Sequence, residues 1–250
     1  MIKPLLIALS AYSIIPVPHF DWSEDNMKFS LCFLPVVGII EGVLLLLWVL
    51  FCGYFEVGNI LFAAVSTVLP LVITGGIHMD GYIDCIDALS SHRDRKKMLE
   101  ILKDPHVGAF AIIYTAIYLL VVFGLYAEIS DSILSLVIIA IGYVLSRSLA
   151  AFSAVAMKNA RKEGFLVSFS NSAHKKTVIA SMIIISMLSV AAMIYVNFTL
   201  GILSALFAGL SLLLYAGISK KFGGITGDTT GYFIQMCELF ILIGIFIGKV

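Results

Sequence analysis

Three aspartates, Asp80, Asp84 and Asp87, stand at i, i+4 and i+7 within the stretch "GGIHMDGYIDCIDALSSHRDRKKMLEILKDPHVGAF", residues 75–110. On a helix turning about 100° per residue they share a sector of roughly 60°. Carboxylates so close repel one another, and an aspartate at bilayer depth costs about 2.5–3.5 kcal/mol on insertion scales. Folding alone does not favour that face; a cation does. Mg²⁺ fits it, because it takes oxygen ligands, keeps several waters and is commonly held by one or two carboxylates plus substrate phosphates. Asp80, Asp84 and Asp87 are therefore the candidate metal ligands. The basic run that follows offers Arg93 and Arg95 for bidentate contact with phosphate oxygens, and Lys96 and Lys97 as point charges. A juxtamembrane Lys/Arg run is equally a topology signal, and for the two lysines both readings stand.

Other polar residues interrupt apolar runs. Glu41, Arg147 and Glu238 lie where a membrane makes charge expensive, which marks them as functional candidates. Arg147 lies in the cytoplasmic half of its expected span, so its long side chain could also snorkel to the interface. Asp228 sits in "GGITGDTTGY", residues 223–232, where it serves either as a helix N-cap or as a ligand. His78 and His106 flank the acidic stretch; His78 is off the aspartate face and reads first as a structural histidine.

The elements that must position these residues are membrane spans. The mean hydropathy is +1.05, 60% of residues are hydrophobic and only 13% are charged, far from the balance of a soluble domain. Apolar length against breakers predicts an all-α, polytopic membrane bundle in a single domain over residues 1–250. Seven spans are expected, at about 30–52, 58–75, 108–127, 132–157, 177–197, 200–218 and 230–248. A short interfacial or re-entrant helix over 5–15, retained rather than cleaved as a signal, precedes them, and the acidic helix lies at one face.

Every Lys and Arg except Arg147 and Lys249 falls in alternate loops: before the first span, at 76–107, at 158–176 and at 219–229. The loops around 53–57, 128–131 and 197–199 have none. The positive-inside rule puts the basic set, and with it the chemistry, at the cytoplasmic side of a multi-pass cell membrane protein. The few basic residues in short loops argue against nucleic-acid binding. Cys32, Cys52, Cys85 and Cys237 form no CxxC pair, and the three in apolar runs read as small hydrophobes.

The stretch at 75–110 strongly resembles the signature of the cobalamin synthase, or adenosylcobinamide-GDP ribazoletransferase, family. "IIPVP" near the start, "LPVVG" at 34–38, Arg147, "RKEG" at 161–164 and "GGITGD" with Glu238 resemble further landmarks in the same order. Three positions depart from the resemblance: Glu41 stands where a small or apolar residue is expected, Ile14 where a cation is usual, and His106 where an arginine or serine is common. The resemblance implies that adenosylcobinamide-GDP and α-ribazole, or its 5′-phosphate, give adenosylcobalamin, or its 5′-phosphate, and GMP, with Mg²⁺. Its small-molecule substrates would meet a chain seated in the lipid bilayer. A homo-oligomer, or association with other cobalamin-biosynthesis enzymes, is left open. In that chemistry Asp80 and Asp84 would hold metal on the diphosphate, and Asp87 would complete the shell or take the proton of the attacking hydroxyl. Asp228 would orient metal or acceptor. Arg93, Arg95 and Lys103 would bind phosphate oxygens, with Arg147 and His78 completing the substrate-binding set. Asp94 and Asp104 would fix the loop.

Three rivals fit less well. A CDP-alcohol phosphotransferase needs D-x-x-D-G and a following Ala-Arg; Asp84 and Asp87 have the first spacing, but Ala88 replaces the glycine. A membrane prenyltransferase needs a second D-x-x-x-D cluster. An ion-coupled transporter would show internal repeats and midplane acids, where here the acids gather at one edge.

Overall fold

The computed structural model describes residues 2–18 and 21–250. Among them only helices and turns form layers. In chain order these are α1 (Ile2–Tyr12), α2 (Glu24–Met27), a 3₁₀ turn (Ser30–Phe33), α3 (Leu34–Tyr54), α4 (Asn59–Thr74), α5 (Ile77–Ser90) and α6 (Arg95–Ile101). There follow α7 (Ala109–Ile129), α8 (Ile133–Ala156), α9 (Phe165–Ser172), α10 (Lys175–Val196), α11 (Phe198–Phe222) and α12 (Gly227–Lys249). The all-α membrane bundle expected from hydropathy is what forms.

Among the described residues six helical segments are long and apolar enough to cross a membrane: the stretch ending in α3, then α7, α8, α10, α11 and α12. The seventh expected span differs. α4 has 16 residues, about 24 Å at 1.5 Å per residue, which is short of a bilayer core of about 30 Å. It qualifies only together with α5, from which it is bent by 96°. The reason is local. Gly75 (φ +64°) and Gly76 (φ +78°) both adopt the left-handed region. The Gly76 N–H donates to Leu71 O at 2.8 Å and the Gly75 N–H to Val72 O at 3.2 Å, a Schellman stop that satisfies the last carbonyls of α4. α5 then turns away from the line of α4 and packs against the start of α12 and the first half of α7.

The loop ends sort as the charges predict. Lys249 reaches Glu128 O at 2.5 Å and also pairs with Asp131, while Gly53, Asn59 and Asp131 line one surface pocket. At the opposite end Arg161 meets Asp228 at 3.5 Å, and the His174 N–H donates to Lys28 O at 2.9 Å. The most enclosed spans, α8 and α12, form the centre of the bundle, with two thirds of each apolar window buried.

Candidate functional site

α5 lies hard against the start of α12. A Cβ at Gly81 would meet Asp228 O at 2.8 Å and Asp228 Cα at 2.9 Å, and one at Gly231 would meet His78 O at 2.9 Å. Glycine at both positions is therefore what lets the acidic helix touch the backbone of "GGITGD". α12 starts with a capping box. Thr226 Oγ1 accepts from the Thr229 N–H at 3.1 Å, and the Thr226 N–H donates to Thr229 Oγ1 at 2.8 Å. Thr226 is thus the N-cap. Asp228, in the first turn, is half-buried, and its Oδ2 accepts from Thr226 Oγ1 at 3.3 Å, at a helix end that favours negative charge.

A second loop completes the wall. The Ile225 N–H donates to Lys158 O and the Ala160 N–H to Ile225 O, both at 2.8 Å, which clamps the strands of chain at 158–160 and 225 side by side. Arg161 is carried by that clamp. Its guanidinium sits 3.5 Å from Asp228 Oδ2 and donates to Leu99 O at 3.2 Å. Sequence reasoning counted Arg161 only as a loop cation and as part of the "RKEG" landmark. Its pairing with Asp228 joins residues far apart along the chain, and no local pattern carries that.

The aspartates share the neighbourhood without enclosing it. Asp80 is exposed; Asp84 and Asp87 are half-buried. Burial first, then the charges of Asp80, Asp228 and Asp87, push Asp84 up to about 7, while Arg161 acts in the opposite sense. Asp87 Oδ2 accepts from the Gly108 N–H at 3.3 Å, and its carboxylate fills the space a Gly108 side chain would need, tying α5 to the start of α7. Among the described residues no three His, Cys, Asp or Glu side chains converge tightly enough to hold a metal ion unaided. An all-oxygen set of this kind suits Mg²⁺ that takes its remaining ligands from water and phosphate.

The expected cations divide. Arg93 and Lys103 are exposed. Arg95 donates to Gly223 O at 3.5 Å and packs over that glycine, anchoring α6 to the loop before α12. Lys96, Lys103, Arg161 and Lys162, outnumbering Glu100 and Glu163, border a surface groove of about 430 Å³. Asp94 caps α6 by accepting from the Lys97 N–H at 2.9 Å, and Asp104 accepts from the His106 N–H at 3.0 Å; both fix the loop.

Arg147 lies elsewhere. Its side chain is fully enclosed, not snorkelled, and one guanidinium nitrogen stands 2.7 Å from Glu41 Oε1 while the other pairs with Glu238. Ser146 donates to Glu238 Oε1 at 3.3 Å. The triad ties α3, α8 and α12 together inside the membrane and gives Glu41 the role its apolar surroundings conceal. His78 is buried beneath the site and near-parallel to Tyr12, with ring centroids 6.3 Å apart. Burial, then the Arg147 charge, hold it down to about 3, so it is neutral.

These features define a polytopic membrane protein with an acidic patch and a basic groove at one face, the equipment of a group-transfer site for phosphate-bearing substrates. The chain belongs to the family described as cobalamin-5-phosphate synthase, which matches residues 4–246. It is 40% identical to the adenosylcobinamide-GDP ribazoletransferase of Lachnoclostridium phytofermentans, over 99% of this chain and 95% of that one. The protein of the same name from Clostridium perfringens strain SM101 is 31% identical, over 97% and 98%. That from Alkaliphilus oremlandii is 30% identical, over 99% and 98%. No solved structure matches the chain. By family it is a transferase, and neither phospholipid synthesis nor ion-coupled transport finds support in these likenesses.

Proposed function

We propose that the chain joins adenosylcobinamide-GDP to α-ribazole, or to α-ribazole 5′-phosphate, with Mg²⁺ and release of GMP, at the cytoplasmic face of the cell membrane. The observation that carries this is the α5–α12 crossing, where Gly81 meets Asp228 and so brings the acidic face to Asp228 and Arg161. The names of the relatives supply the substrates, and the one-sided distribution of Lys and Arg supplies the orientation.

A hydroxyl of the acceptor ribose forms a new bond to the phosphorus next to cobinamide. The bond between the two phosphates breaks, and GMP leaves with the electron pair. Such transfers depend chiefly on positioning and neutralisation of charge. Asp80 and Asp84 hold Mg²⁺, which when bound offsets the charge of the diphosphate. Asp87 has one oxygen engaged by Gly108 and keeps the other for the ion or for the hydroxyl proton. Asp228, steadied by Arg161, orients the acceptor. Arg161, Arg93, Arg95 and Lys103 take phosphate oxygens as charge shifts to GMP. Arg147 holds together the spans that carry the site.

The test is GMP release by purified protein in detergent or lipid, given both substrates with and without Mg²⁺, beside Asp84→Asn. Mg²⁺-dependent release matched by cobalamin formation, and lost in the variant, is expected. Folded protein that releases no GMP would sink the proposal.

A further inference from the structure

Next to the acidic face a cavity of about 180 Å³ opens among α1, the 3₁₀ turn, the start of α3, α5, α8, α9 and α12. Its wall is mostly aliphatic, with Leu34, Ala154 and Ile234, and carries three rings, Tyr12, His78 and Phe165. Asp80 and Asp228 lie on the same wall, and no Lys or Arg does. The phosphate chemistry uses none of the rings or aliphatic groups.

We infer that this cavity binds the base of the acceptor nucleoside, a flat, apolar, bicyclic aromatic (the benzimidazole that ribazole denotes), with the attached ribose emerging toward Asp80 and Asp228. The inference rests on the proposed function and adds a binding site to it. Size excludes the corrin, a macrocycle fringed with amides. Charge disfavours a phosphate, which the basic groove of Lys96, Lys103, Arg161 and Lys162 would draw away. An apolar bicyclic ring is what aliphatic and aromatic walls accept. Two polar atoms of the wall residues, His78 Nε2 and Tyr12 Oη, are enclosed and have no hydrogen-bond partner among the described residues.

Equilibrium dialysis of α-ribazole against the purified chain in detergent tests the site without turnover. Two variants accompany the wild type. Ala154→Phe fills the cavity from α8. Phe165→Ala removes a ring from the rim, where the residue is 43% exposed and packs against Tyr12 and Phe169; thermal unfolding of each variant in detergent checks that it is folded. Each is expected to weaken α-ribazole binding by about tenfold or more, and to raise the KM for α-ribazole but not that for adenosylcobinamide-GDP. Wild-type affinity in both variants overturns the assignment, as does a KM change that falls on adenosylcobinamide-GDP. Wild-type protein that neither binds nor consumes α-ribazole is a different failure: it overturns the proposed function, and the pocket assignment falls with it.

Discussion

Gly81→Ala adds one methyl group where the structure has no room for it. The new Cβ would lie 2.8 Å from Asp228 O and 2.9 Å from Asp228 Cα, against an ordinary carbon contact of about 3.5–4.0 Å. Both neighbours are backbone atoms of a capped helix start, so no side chain can swing aside. α5 and α12 must part by about 0.5 Å or more at the crossing. Overpacking of this kind costs about 1–3 kcal/mol, offset in part by the gain of up to about 1 kcal/mol from replacing glycine with alanine in a helix. The functional loss should exceed the structural one, because the same shift moves Asp80 and Asp84 away from Asp228 and Arg161. A misplacement near 1 Å can cost about 10²-fold in rate. Gly124→Ala is the control: it lies inside α7, and its Cβ would meet nothing within 4 Å. Thermal unfolding in detergent and GMP release at saturating substrates read the two effects. Gly81→Ala as active and as stable as Gly124→Ala would refute the argument that this crossing assembles the site.

Other outcomes follow from the same geometry. Mg²⁺ must displace the proton from Asp84, which in the metal-free protein sits near 7; the Mg²⁺ concentration for half-maximal GMP release should rise about tenfold per pH unit below that value and level off above it, and a flat profile from pH 6 to 8 would count against Asp84 as a ligand. The sign for stability is opposite. A carboxyl raised above its ordinary value near 3.8 contributes stability that is complete below that value and lost as pH rises through about 7, so metal-free protein should melt at lower temperature at pH 8 than at pH 6. Arg161→Ala removes the partner of Asp228 and a donor to Leu99 O; GMP release should fall by about 10²-fold with the bundle still folded, and wild-type turnover would remove Arg161 from the site. Arg147→Met leaves Glu41 and Glu238 enclosed without their cation, at a cost of about 3–5 kcal/mol. Adding Glu41→Leu and Glu238→Leu to it should recover stability, measured by thermal unfolding, and a triple variant no better than Arg147→Met would show that the charges are not the cause.

Some of this molecule is written in short windows of its sequence. The spans follow from apolar length, because each segment meets lipid or water largely by its own composition. The shared face of Asp80, Asp84 and Asp87 follows from helix periodicity alone. The sorting of loops follows from where Lys and Arg fall, and the contact of Lys249 with Glu128 and Asp131 agrees with that parity. Even the stop at Gly75 and Gly76 has a visible cause, and the expected span at 58–75 ends there, although α4 at 16 residues is too short to cross a bilayer core alone.

The pairings are another matter. Glu41 and Arg147 are 106 positions apart, and Arg147 and Glu238 are 91; nothing near any of them names its partner. Asp228 could be cap or ligand in sequence, and only the Thr226–Thr229 box shows that the cap is Thr226 and that Asp228 instead meets Arg161. Asp87 belongs to a regular acidic face, yet it turns to the Gly108 N–H because α7 begins there. Hydropathy and periodicity are properties of a segment and its solvent. Which faces meet depends on the shapes and charges of segments distant along the chain, at crossings such as Gly81 on Asp228, and only the packed bundle sets those.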